Sequence, residues 1–265
     1  MREFFNYQSP YRTNIFMELS LFERIIPLIG VTIIIFLLFK YRYVFRKNSE
    51  LDKKVRYTLG FLLFGLFASH FILRFALYGL DTIVLPFHLS SIAMVFAIYL
   101  LFTNNKSVYA FVLLAGVLGG VISLTSPVFG YNASYYRYYQ FFFAHIILLI
   151  TPLYYLFVHQ WLPSKREVWT GYIILQILAK FMLLFNYVMG TDFMFMFLDP
   201  SKIDKFPAIK YLGGIPFYLI VTEIVIGFYF YGSYKFFVYL DKKKEESITL
   251  EGGILWILLE NTDLH

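Results

Sequence analysis

Polar positions in this chain come in bursts that separate long apolar runs of similar length. Leu21 to Phe39, Val55 to Gly79, Ile83 to Phe102, Val108 to Leu124, Tyr138 to His159, Val168 to Val188 and Ile215 to Val238 are such runs, each near the ~20 residues a helix needs to cross a bilayer. Backbone groups in lipid must satisfy one another within the segment, so the runs predict helices. The expected fold is all-α, a polytopic transmembrane bundle of about seven helices occupying residues 21–240 as one domain. Residues 1–20 carry Arg2, Glu3, Arg12 and Glu18 with no apolar core or small-residue cleavage site, which predicts an interfacial arm. Residues 241–265 read as a cytoplasmic tail, in which Ile254 to Leu259 is too short to span and suits an interfacial patch or partner contact.

Composition agrees with this pattern. With 59% hydrophobic and only 15% charged residues, a chain of 265 residues has more apolar surface than a soluble fold can bury. The net charge of +6 reports topology, because the cations gather between the runs. Lys40, Arg42, Arg46, Lys47, Lys53, Lys54 and Arg56, then Lys106, Lys165 and Arg166, and Lys242 to Lys244 fall on one side if every run crosses. The positive-inside rule places that side in the cytoplasm and the N-terminus outside, in a multi-pass protein of the cell membrane. The connection Gly190 to Gly214 falls outside, with Lys202, Lys205 and Lys210 balanced by Asp192, Asp199 and Asp204. Membrane lipids are the expected partners, a small-molecule substrate is the alternative, and nucleic acid is not expected.

Several chemistries drop out. The chain has no cysteine, which excludes disulfides and thiol nucleophiles. It has no glycine-rich phosphate loop followed by lysine, and no histidines paired at metal-ligand spacing, so no cofactor or metal is expected.

What remains is a short set of polar residues inside the apolar runs: His70 and Arg74, then His88, Ser90 and Ser91, then His145, Lys180 and Glu223. A lone charge at the bilayer centre costs roughly 2.5 to 3.5 kcal/mol, so these groups are expected to face the bundle interior and to pair. Glu223 is the anion available at depth to Arg74 or Lys180. His70, Arg74 and Tyr78 share a helix face at i, i+4 and i+8. On a continuous third helix His88 and Ser90 would point to nearly opposite sides, so a base for Ser90 must come from another helix, and His145 is the best placed. Pro152 is expected to kink the fifth helix near Leu148 and open space below His145. Ala115, Gly116, Gly119 and Gly120 form small-residue pairs that admit a close neighbour.

Together these residues resemble a known family, the bacterial YwaF-type integral membrane proteins, related to the eukaryotic transmembrane protein 164 lipid acyltransferase. The resemblance runs through Leu85-Pro86-Phe87-His88-Leu89-Ser90, Gly116 with Gly119 and Gly120, Tyr138 to His145, Asn186, Gly190 to Phe195, Pro200, Gly214 to Tyr218 and Glu223. It implies acyl transfer from a phospholipid to a lysolipid by a nucleophile on the third helix. The nucleophile is a cysteine in the eukaryotic relative, and Ser90 stands at that position here. Asp192 and Asp199 also depart from the relatives' residues.

The leading expectation is therefore an intramembrane acyltransferase or lipid-ester hydrolase. Ser90 is its nucleophile, His145 its base and then acid, and His88 polarises or orients the carbonyl. Substrate contacts fall to His70, Arg74, Lys180, Glu223 and Asn186. The alternatives are a small-solute transporter or the substrate-binding subunit of an importer, and a catalytically inactive lipid-binding or assembly factor.

Overall fold

Ser20 opens the first helix by accepting from the Glu23 amide while the Glu23 carboxylate reaches back to the Ser20 amide, which satisfies two orphan donors at once. In the computed structural model that helix, α1, runs Leu21–Lys47 and is followed by α2 (Ser49–Tyr78), α3 (Leu89–Thr103), α4 (Lys106–Thr125), α5 (Tyr136–Phe157), α6 (Lys165–Met189) and α7 (Phe217–Thr249). The structure describes residues 4–5, 19–80, 85–127, 131–200 and 211–249. Among these residues the protein is all-α, and six of the seven helices are long and apolar enough to cross a membrane. Most of the expected arm, residue Ile83, Lys202 to Lys210 of the long connection and the patch Ile254 to Leu259 lie outside the described residues.

One expectation needs correction. The third apolar run is not a full span: Leu85 to His88 are non-helical, and α3 has only 15 residues, about 22 Å at 1.5 Å per residue. Pro86 disfavours helical backbone at Leu85, and His88 takes the extended N-cap conformation (φ −70°, ψ 146°). The basic stretch between the first two runs is helical, Lys40, Arg42, Arg46 and Lys47 ending α1 and Lys53, Lys54 and Arg56 opening α2. Asn48 alone separates α1 from α2, its side chain capping α2 at the Leu51 amide (3.0 Å).

The helices meet around α4 and α5, the two most buried spans. Leu100, Leu101, Leu114, Leu124, Leu148, Tyr109 and Tyr155 fill the centre. α5 runs unbroken through Pro152, and α4 contains an irregular turn where Val112–Gly116 forms a π-helical segment. Such a turn inserts an extra residue and rotates everything beyond it. Tyr229 of α7 donates to the Leu114 carbonyl inside the segment (2.9 Å), and Gly116 faces Leu148.

One end of the bundle carries the basic clusters and is tied by polar contacts. Asp52 accepts from Arg56 Nε (2.9 Å), the Tyr154 hydroxyl (2.8 Å) and His159 Nε2 (2.7 Å). Arg56 also donates to the Leu101 carbonyl, Arg46 to the Phe157 carbonyl, and the Tyr109 hydroxyl to the Trp161 carbonyl. These contacts join the C-terminal ends of α1, α3 and α5 to the N-terminal ends of α2 and α4. The histidines of interest lie nearer the other end.

Candidate active site

The opposite end is built from the starts of α3 and α5, the later turns of α2 and α4, and the turn after α6. The π segment directs Gly119 toward α3 and Gly120 toward α5. A Cβ on Gly119 would lie 3.5 Å from Ser90 Cα and Cβ, and one on Gly120 would lie 3.5 Å from the His145 carbonyl and 3.2 Å from Leu149 Cβ. Ser90 and His145 thus lie on adjacent sides of α4, and Gly120 lets the α5 backbone close on it. Ser90 is half-buried, and its hydroxyl makes no hydrogen bond among the described residues. It does not bond to His145, so the expected pair is not pre-assembled.

Each histidine has its protonation pattern fixed by a neighbour. His145 Nδ1 lies 2.8 Å from the Phe141 carbonyl, which can only accept, so the proton is on Nδ1 and Nε2 keeps its lone pair. That Nε2 is fully buried and has no partner. His88 has the opposite pattern. The Met194 amide donates to its Nδ1 (3.3 Å), so in the neutral ring Nε2 carries the hydrogen. His70 Nε2 faces Arg74 Nη1 at 3.5 Å, and a guanidinium can only donate.

His70, His88 and His145 form one electrostatic cluster with Arg74 and Arg137, joined at His88 by Asp192. Arg137 was not among the residues singled out from the sequence, though its signal was available. Arg137, Phe141 and His145 recur at i, i+4 and i+8 on α5, with the guanidinium 5.4 Å from the Phe141 ring centroid and that ring 4.2 Å from the imidazole.

The turn after α6 closes the site. Asn186 uses all four of its hydrogen-bonding positions there: Nδ2 donates to the Phe193 and Met196 carbonyls (2.8 and 2.6 Å), and Oδ1 accepts from Thr191 Oγ1 and the Phe193 amide (2.6 and 3.0 Å). The Tyr218 hydroxyl holds the same turn from α7, accepting from the Phe197 amide at 2.8 Å. Met194 and Phe195 are held at positive φ (55° and 57°), a conformation unfavourable for residues other than glycine. The result puts the Met194 amide on His88 and the Phe193 ring 5.2 Å from the imidazole.

Three residues expected to contact substrate stand elsewhere in the bonding scheme. Asn186 has no valence left for a ligand and acts on the turn instead. Lys180 and Glu223 pair with each other and with Gln176 between α6 and α7, on the outer face of the bundle and not in its interior. His88 also lies outside the helix, so helical periodicity does not set its angle to Ser90. No group of histidine, aspartate and glutamate residues suited to a metal ion occurs among the described residues.

No curated protein and no solved structure matches the chain. The model of the TMEM164 family matches it over residues 16–234, a stretch that contains every residue of this cluster, and the chain belongs to the TMEM164 family.

Proposed function

We propose that this membrane protein is an acyltransferase or ester hydrolase of membrane lipids, with Ser90 as nucleophile and His145 as general base. The observation that carries the reading is the His145 Nε2 lone pair, buried, free of any partner and held in one tautomer by the Phe141 carbonyl. A base needs a lone pair not already committed to another donor, and unliganded sites commonly show looser geometry than reacting ones. Ser90 Oγ attacks the lipid ester carbonyl as its proton passes to His145 Nε2, and the oxyanion forms. The ester C–O bond then breaks, and the same proton goes to the departing lysolipid oxygen. An acceptor hydroxyl, from a second lysolipid or from water, attacks the Ser90 ester, gives its proton to His145 and returns Ser90 to its hydroxyl form. His88 Nε2–H would donate to the oxyanion. Arg74 and Arg137 supply the positive charge for a lipid phosphate.

The transport alternative draws on charged residues at depth; two of them, Lys180 and Glu223, lie on the outer face of the bundle, which favours the lipid reading.

The test is covalent. Purified protein in lipid nanodiscs, treated with a fluorophosphonate or with phospholipid bearing a labelled acyl chain, should carry the adduct on Ser90 by mass spectrometry. His145→Ala should slow labelling by about 10² to 10⁴ fold, the usual contribution of general base catalysis. Phospholipid turnover in Ser90→Ala equal to wild type refutes the assignment.

A further inference from the structure

The outer face of α6 and α7 carries an exposed ion pair within its apolar length. Ile173, Ile177, Lys180, Leu184 and Tyr187 form one exposed stripe along α6, with the lysine at its middle. Ile220, Ile224 and Phe228 make the matching exposed stripe on α7, beside Glu223. The Lys180 side chain is 59% exposed and that of Glu223 36%. Lys180 lies roughly 13 Å from the nearer end of α6 and Glu223 roughly 9 Å from the start of α7, at 1.5 Å per residue, and the intervening residues are almost all apolar. The pair is therefore held at hydrocarbon depth, where a lone central charge costs roughly 2.5 to 3.5 kcal/mol and an exposed pair is only partly relieved of that cost.

Two further observations concern α7. Its span is the least buried of the six, so this helix has few neighbours among the described residues. Gly227, one turn beyond Glu223, is open: a Cβ built there would meet nothing within 4 Å. A small residue beside a polar one on a lipid-facing helix is the pattern by which a second helix backbone comes close.

A partner that takes this exposed pair out of lipid is apolar along most of its length and adds an acid near Lys180 and a base near Glu223 at one level. The face itself, turned by a two-fold axis, meets that requirement, because an isologous interface brings each residue of one copy to its complement on the other. We propose that α6 and α7 form the seam of a homodimer, in which Lys180 and Glu223 of the two copies make one four-charge cluster. This proposal does not depend on the catalytic reading.

The absence of cysteine gives a clean background for the test. Ile224→Cys or Leu184→Cys in native membranes should give a disulfide-linked band of twice the chain mass under mild oxidation. Ile33→Cys, on the exposed face of α1, should not. Charge variants separate contacts between copies from those within one. Copies bearing Lys180→Glu should lose the crosslink among themselves, as should copies bearing Glu223→Lys, whereas differently tagged copies of the two expressed together should recover it at least several-fold. The proposal is overturned if neither seam cysteine crosslinks, if Ile33→Cys crosslinks equally well, if the adduct has the mass of another protein, or if the mixed pair crosslinks no better than either variant alone.

Discussion

Asn186 offers the sharpest test of how the site is held. Asn186→Ala removes four hydrogen bonds between α6 and the turn that carries Met194. A net hydrogen bond contributes about 1 kcal/mol, and a buried group left unpaired costs about 1 to 3 kcal/mol. The Phe193 amide and carbonyl are buried with the asparagine, whereas Thr191 is half-buried and can turn to water. Two fully lost bonds and two partly replaced ones give a destabilisation of roughly 2 to 4 kcal/mol. Asn186→Asp should be at least as damaging despite its equal size, because its second oxygen would face the Phe193 and Met196 carbonyls, where an amide now donates. The assay is hydrogen exchange by mass spectrometry in detergent. Peptides covering 190–197 should lose protection in both variants while the Asp52 end of the bundle keeps it, with an apparent Tm lower by about 4 to 8 °C for a change near 2 kcal/mol. Unchanged exchange across 190–197 in Asn186→Ala refutes the reasoning.

Three other outcomes follow from the packing. Asp52→Ala should destabilise the opposite end by about 3 kcal/mol, because it leaves Arg56 without its carboxylate in a mostly buried setting, and protease sensitivity at the α1–α2 junction should rise. Gly119→Ala should be tolerated, since its Cβ meets Ser90 at an ordinary 3.5 Å, whereas Gly120→Ala meets Leu149 Cβ at 3.2 Å and should cost about 1 kcal/mol in thermal stability. Ser90→Cys should be alkylated by iodoacetamide in an otherwise thiol-free chain, and His145→Ala should slow that alkylation if the imidazole serves as base for the thiol.

The helices were legible because bilayer thickness imposes a length on apolar runs, and six of the seven expected spans are present as long helices. The third was misread because hydropathy cannot tell an apolar extended segment from an apolar helix. Pro86 was the available signal that Leu85 to His88 would not be helical. Pairing within the spans was legible only as a requirement: the sequence demanded a partner for Glu223, and only the packing of α6 on α7 decides that it is Lys180. The roles of Asn186, Met194 and Tyr218 were beyond reach, since they depend on backbone atoms of a turn with two residues at positive φ. Arg137 could have been found by applying to α5 the i, i+4, i+8 rule used for His70 and Arg74.

The two histidines nearest the proposed chemistry are not interchangeable. A carbonyl fixes the proton of His145 on Nδ1, so this ring presents a lone pair; an amide accepted at Nδ1 of His88 makes that ring present an N–H. Acyl transfer needs one group of each kind, an acceptor for the nucleophile's proton and a donor for the developing oxyanion. The acceptor is set by α5 alone, through one turn of its own backbone. The donor is set at a distance, through Met194 in a turn that Asn186 and Tyr218 hold against α3. Disruption of the turn should therefore impair oxyanion stabilisation while leaving the base intact. Asn186→Ala should lower the rate of acyl-serine formation yet preserve the pH dependence of Ser90 labelling, and His145→Ala should change both. A changed pH profile in Asn186→Ala would place the turn's influence on the base and refute this division of roles.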